Sequence, residues 1–129
     1  MILLDSHAWL WWVQGSISLP QKAVERIRTA DIVAVASVSC LEVAWLAKKG
    51  RIVLPGTVEE FFEEALDRAG LQLLPLTPQI AARSAVLPDI HRDPIDRVIV
   101  ATAIEHTANL LSRDGMIAKY PGVDVRWDV

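Results

Sequence analysis

The sequence predicts an α/β domain with a central, mostly parallel sheet flanked by helices. Three observations lead there. Short apolar runs rich in β-branched residues or leucine recur along the chain. Segments with apolar residues at helical spacing and helix start signals lie between them. The two kinds of segment alternate throughout, with no repeat, low-complexity tract or long polar linker to divide them. Residues 1–129 are therefore expected to form a single domain.

Each element has its own justification. MILLD reads as a short buried strand, and SHAWLWWV follows it as a helix. LPQKAVERIRTA has an early proline and apolar residues at Ala23, Ile27 and Ala30, the spacing of a helix face. DIVAVAS is β-branched and gives the second strand. Ser39-x-x-Glu42 has the form of a capping box opening the helix LEVAWLAKK, which Gly50 ends. Thr57-x-x-Glu60 opens another helix, closed by Gly70. LQLLPL is the third strand, and Thr77-Pro78 starts a short helix that ends before Pro88. The helix IDRVIVATAIEHTA follows HRDP, and NLLS and VDVRW supply the fourth and fifth strands.

Bulk composition narrows the function. With 52% hydrophobic and 22% charged residues, the chain of 129 residues is long and apolar enough to bury a core. A formal net charge of −3 shows no broad basic face of the kind that grips nucleic acid. Cys40 is the single cysteine, so no internal disulfide forms, as suits a reducing compartment. MILLDSHAWLWW has no basic stretch and meets an acid at Asp5, unlike a signal peptide. No uninterrupted apolar run reaches the roughly 18 residues of a membrane span. A cytoplasmic location is expected.

In a parallel α/β sheet, sites form beyond the carboxyl ends of the strands. Asp5 ends the first predicted strand, and Asp114 follows the fourth in LLSRD. If those strands are neighbours, the two acids are close. Glu42 falls in the expected first turn of the helix after strand two. Asp93 and Asp96 open the long helix, about one turn apart. Packed carboxylates raise each other's pKa unless something neutralises them. A hard divalent cation such as Mg²⁺ takes oxygen ligands and works with phosphates.

Structural roles stand beside these. Asp93-Pro-x-Asp96 matches the cap, first and third positions of a helix, and Asp93 precedes Arg97 by the four residues favoured for an ion pair. Glu42 is either a capping-box partner or a site residue, and Asp114 either a cap for GMIAKY or a site residue. Asp5 ends a buried strand and is also placed to cap the helix that follows. Ser6 and Ser112 sit beside acids, as turn hydroxyls or as groups that orient a metal-bound water or a carboxylate. Arg92, Arg97 and Arg113 flank the acids, either solvated or holding phosphates.

His7, His91 and His106 have no paired-ligand spacing, which argues against zinc. Cys40 has no basic neighbours and reads as buried and inert. The chain has no GxGxxG, GxxxxGK[ST] or GxSxG motif. Trp9, Trp11 and Trp12 crowd one helix, where consecutive residues point about 100° apart. Trp9 and Trp12 share a face, Trp11 points elsewhere, toward a partner subunit, and Trp45 is placed to wall the site.

The residues as a set resemble a PIN domain, and more narrowly a VapC-type toxin of bacterial and archaeal toxin–antitoxin pairs. LLDSHAWLWW, VASVSCLEVAWLAKKGRIVLP, HRDPIDRVIVATA and LLSRD are similar to that subfamily's four acidic segments, in order and nearly end to end. Leu41 departs from the tryptophan that close relatives often carry there. The resemblance implies a three-layer PIN-like domain. It implies that Asp5, Glu42, Asp96 and Asp114 bind Mg²⁺ or Mn²⁺ and cleave RNA by metal-assisted hydrolysis. Asp93 matches a subfamily aspartate whose role in metal binding is indirect or direct. The resemblance also implies a homodimer and a cognate VapB-type antitoxin whose tail lies across the site groove. Tryptophan-rich helix faces suit such a partner, and the negative charge suits a basic tail.

Three other functions compete. One is a PIN-like nuclease that processes structured RNA or acts on DNA. A second is a phosphoacceptor signalling module, which needs an acid pair after strand one and a late lysine, whereas here there is a single Asp5 and an ill-placed Lys119. The third is a binding module without catalysis.

Overall fold

The computed structural model describes all residues, 1–129. Five strands form one sheet in the order β3-β2-β1-β4-β5. They are β1 (Ile2–Leu4), β2 (Val33–Ala36), β3 (Gln72–Leu74), β4 (Asn109–Leu111) and β5 (Asp124–Arg126). Every pairing is parallel, so the sheet has no antiparallel exception. Only a long crossover returns a chain for parallel pairing, and each interval between strands supplies one.

The helices are α1 (Ser6–Gln14), α2 (Gln21–Thr29), α3 (Ser37–Lys48), α4 (Val58–Phe62), α5 (Pro78–Val86) and α6 (Pro94–His106). A π-helical segment, Glu63–Arg68, continues α4, and a 3₁₀ turn, Ile117–Lys119, precedes β5. None of these helices is long and apolar enough to cross a membrane.

Strand alternation divides the core in two. Leu3, Ala34, Ala36, Leu74 and Leu110 face a cluster with Ile80 of α5 and Ile99 and Ala103 of α6. Ile2, Leu4, Val35 and Leu111 face the other side, against Trp9, Ile27, Val43 and Phe61. A helix–sheet–helix sandwich follows because both faces of these short strands are apolar.

Most helix starts follow the expected chemistry. Thr57 and Glu60 form a reciprocal capping box, at 3.1 and 3.2 Å. The Thr77 hydroxyl accepts from Ile80 N–H at 3.2 Å, with Pro78 in the first turn. Asp93 caps α6, accepting from Ile95 N–H at 2.9 Å. Gly50 and Gly70 follow the ends of α3 and of the π-helical segment with φ of +71° and +70°, where a β-carbon is disfavoured.

The Ser39-x-x-Glu42 capping box is not formed. α3 begins at Ser37, directly after β2, with Ala36 at the cap and no side-chain capping bond. The Ser37 hydroxyl instead accepts from Leu76 N–H at 3.0 Å. Ser39 is fully buried inside the first turn and accepts a hydrogen bond from Ser6 at 2.9 Å. The earlier start moves Glu42 from the first turn to the second.

Trp9 anchors the α1 layer. It is fully buried, its indole N–H donates to the Ala65 carbonyl at 3.0 Å, and its ring lies against Phe61 and Phe62. Trp12 is half-buried against the same cluster. Replacing Trp9 by phenylalanine keeps most of the packing but strands a buried carbonyl, at a cost of about 1–3 kcal/mol. Trp9→Ala, which also opens a cavity, is expected to cost about 3–5 kcal/mol. Urea unfolding of both variants checks the order.

Candidate active site

Sheet order decides where a site can form. From β1 the chain builds outward through β2 and β3 on one side, and β4 and β5 lie on the other. The direction reverses between β1 and β4, which opens a crevice beyond their carboxyl ends. Leu4 is in register with Leu111, and Asp5 N–H donates to the Leu111 carbonyl at 3.2 Å. Asp5 is therefore fixed beside the turn that carries Asp114.

The Asp5 carboxylate caps α1, accepting from Ala8 N–H at 2.9 Å. Asp96 is in the first turn of α6, and Glu42 is one turn into α3, which packs on α6. Asp5, Glu42, Asp96 and Asp114 all line one open cavity of about 550 Å³, together with His7, Trp11, Arg113 and Ile117. The four acids come from four distant parts of the chain.

Their electrostatics differ. Burial pushes the Asp5 carboxyl up, opposed by hydrogen bonds from the Ser112 hydroxyl and Ala8 N–H and by the charge of His7, while Glu42 adds to the rise. Asp96 is pushed up to about 6 by burial and by the negative charges of Asp93, Glu42 and Asp114, against a smaller opposing effect of His91. Burial also works to raise Asp114, but the His91 hydrogen bond, the Met116 N–H and the charge of His91 outweigh it and hold this carboxyl below its usual range.

His91 is the residue the sequence did not mark. Its Nε2 lies 2.7 Å from Asp114 Oδ2, and its Nδ1 lies 3.2 Å from the Tyr120 hydroxyl. The same hydroxyl accepts from the His91 backbone N–H at 2.8 Å, and the two rings stack at 5.6 Å. Asp114 Oδ1 accepts from Met116 N–H at 2.9 Å, so both its oxygens are held. The only sequence signal for His91 was its place two residues before the acidic helix start.

The other expected residues divide. The Ser112 hydroxyl accepts from Asp114 N–H at 3.1 Å and donates to Asp5, tying the two acids together. Ser6 is buried and committed to Ser39 rather than to an acid or the cavity. Asp93 caps α6 and stands outside the acid cavity, in a neighbouring one that shares Glu42. Arg113 lines the acid cavity with its guanidinium 5.9 Å from the Trp11 ring centre. Trp11 packs on His7 and Trp127 as part of that wall rather than pointing away from it. Arg92 is exposed in the loop before α6. Cys40 is half-buried, and burial raises its thiol pKa.

Arg97 is placed away from phosphate. It donates to the carbonyls of Ser84, Ala85, Leu87, Pro88 and His91 at 2.7–3.4 Å and does not pair with Asp93. Its fork satisfies the open carbonyls at the end of α5 and ties down the loop that carries His91. The nearest carboxylate is that of Asp89, at 3.9 Å.

The donor set fits a hard divalent cation: all oxygen, all acidic, with Asp96 pushed up to about 6 by burial and by its acidic neighbours. As placed, no three of these side chains form a ready ligand cage. Mg²⁺, which retains several waters and needs few carboxylates, is suited to such an open arrangement.

The chain matches the PIN domain family over residues 2–123. It belongs to the PIN-domain family. It is 39% identical over 114 residues to Ribonuclease VapC22 of Mycobacterium tuberculosis, covering 88% of this chain and 86% of that protein. Among solved structures, a toxin–antitoxin complex from Klebsiella pneumoniae superposes with a TM-score of 0.68 at 23% identity, covering 100% of this chain and 98% of the other. A DNA-bound VapBC from Salmonella typhimurium gives 0.72 at 17% identity, covering 97% and 96%. At these identities the likeness shows the PIN fold, and its three layers are those found here.

Two outcomes follow for the metal-free PIN domain. The raised Asp96 pKa means the folded state binds more protons than the unfolded state between about pH 4 and 6, so this group lowers stability as pH rises through that window. Asp96→Asn is therefore expected to raise the Tm in EDTA near pH 7.5, with the difference shrinking below about pH 4. A lower Tm for the variant at the higher pH would contradict a carboxyl raised by burial and like-charge crowding. His91→Ala removes the hold on Asp114. The expected cost is about 1 kcal/mol, below the usual figure for a charged hydrogen bond because Asp114 is 40% exposed and solvent screens it, with the Asp114 pKa rising toward its usual range in an NMR titration.

Proposed function

We propose that this PIN domain is a metal-dependent endoribonuclease, the toxin of a type II toxin–antitoxin pair. The observation that carries the reading is the convergence of Asp5, Glu42, Asp96 and Asp114 in one cavity at the reversal point of the sheet. The 39% identity to a curated ribonuclease supports RNA as substrate.

Asp5, Glu42, Asp96 and Asp114 would hold Mg²⁺ or Mn²⁺. The bound ion supplies an activated water for attack on a phosphodiester and charge stabilisation at the leaving oxygen. The chain's own residues do the positioning. The Asp5 carboxylate is fixed by Ala8 N–H and the Ser112 hydroxyl. Asp114 is fixed by His91 and Met116 N–H. Arg113, on the cavity rim and exposed, is placed to meet a phosphate that the acids alone would repel. Arg97 serves the loop instead, and Arg92 is exposed in the loop before α6 and does not line the acid cavity. No lysine lines the acid cavity, which counts against a phosphoacceptor module.

A cognate VapB-type antitoxin and a homodimer complete the reading. The toxin–antitoxin complexes among the structural neighbours support the antitoxin, and the homodimer rests on the family resemblance of the sequence. Incubating antitoxin-free protein with total cellular RNA tests the activity. Discrete cuts are expected with Mg²⁺ or Mn²⁺, none with EDTA, and at least about a hundredfold less cutting by Asp96→Asn. Equal cutting by the variant would place the chemistry elsewhere, and absence of cutting by folded wild type in every metal would favour a binding module.

A further inference from the structure

We propose that the α3 face beside the acid cavity is a stacking subsite for a nucleotide of single-stranded RNA outside the cleaved bond, with Trp45 as its platform. This rests on the ribonuclease reading above. Leu41 and Trp45 are one helical turn apart on α3, and both are half-exposed, at 52% and 51%. Core packing explains neither side chain.

The two line a second cavity of about 520 Å³ with Glu42, Lys49, Arg51 and Asp93. Glu42 also lines the acid cavity, so the two spaces share a wall. The Lys49 ammonium stands 6.0 Å from the Trp45 ring centre. Gly50, with its φ of +71°, turns the chain after α3 and brings Arg51 to the same groove. Neither Lys49 nor Arg51 has a carboxylate partner within ion-pair distance.

The groove thus runs from acids, across an open indole, to two unpaired cations. A strand whose scissile phosphate sits at the acids would present its neighbouring base to Trp45 and its next phosphates to Lys49 and Arg51. Single-stranded RNA is gripped by this combination of aromatic platform and backbone cations. Leu41, Leu46, Pro94 and Ile95 line the groove beside Trp45 together with Glu42, Lys49, Arg51 and Asp93. The two unpaired cations next to an open indole favour a polyanion with bases to stack over a protein occupant.

The test measures binding and cleavage separately. Labelled single-stranded RNA of randomised sequence, about twelve nucleotides long, is titrated in EDTA, so binding is read without cleavage. Trp45→Ala is expected to weaken binding about tenfold, Trp45→Phe to retain most of it, and Lys49→Ala with Arg51→Ala to flatten the salt dependence. On a cleaved RNA, Trp45→Ala is expected to raise KM with kcat unchanged. Removing a single base on one side of the cut should then cost wild type as much as Trp45→Ala does, and cost the variant nothing more.

Circular dichroism establishes that each variant is folded. If wild type binds RNA and Trp45→Ala binds equally well, the subsite is refuted. Loss instead of self-association, or of antitoxin binding, with RNA binding intact would assign the face to a protein interface. If RNA binds through Trp45 but no metal supports cleavage, the ribonuclease reading fails while the subsite stands.

Discussion

Everything at the site depends on β1 being clamped between β2 and β4. Three residues, Ile2–Leu4, are paired on both sides in parallel register. Such a short strand is held only because both neighbours and both helix layers bury it. That pairing sets Asp5 beside the end of β4 and makes the β1/β4 junction the point where chain direction reverses. A slip of one residue would exchange Leu3 for Leu4 between the two cores and turn Asp5 away from the crevice.

The acid cavity is held in a costly electrostatic arrangement by groups with neutral or opposite charge around it. Asp5 and Asp114 are tied by Ser112, and Asp114 by His91, which is itself braced by the buried Tyr120. Arg97 fixes the loop that delivers His91. Asp96 has no comparable support and carries the rise caused by burial and by its acidic neighbours. One carboxyl pushed up and another held down in a single cavity is the kind of perturbation that gathers at functional sites, and it accords with the proposed cation site.

Much of the fold was legible because its signals are local. The capping pairs at Thr57, Thr77 and Asp93 satisfy helix ends within four residues, so the sequence states them directly. Ser39 misled for a physical reason. Its hydroxyl had two outlets, a local cap or a distant partner, and burial against Ser6 selected the distant one. Arg97 misled in the same way. An i,i+4 partner was available at Asp93, but a fork of carbonyls at the end of α5 offers more hydrogen bonds in a drier place.

The sequence by itself determined the alternation of strand and helix, the two-sided burial of the sheet and the placing of acids at the strand ends and helix starts around one edge. Those follow from periodicity, from turn chemistry and from the poor fit of an acid at the end of an apolar strand. Tertiary structure alone decided that β1 and β4 are neighbours, that His91 and Tyr120 hold Asp114, and that Trp11 lines the acid cavity while Trp45, expected to wall it, opens onto the neighbouring one. These are contacts between residues far apart in the chain. Their formation depends on how two helix layers pack on the sheet, and no local spacing encodes that geometry.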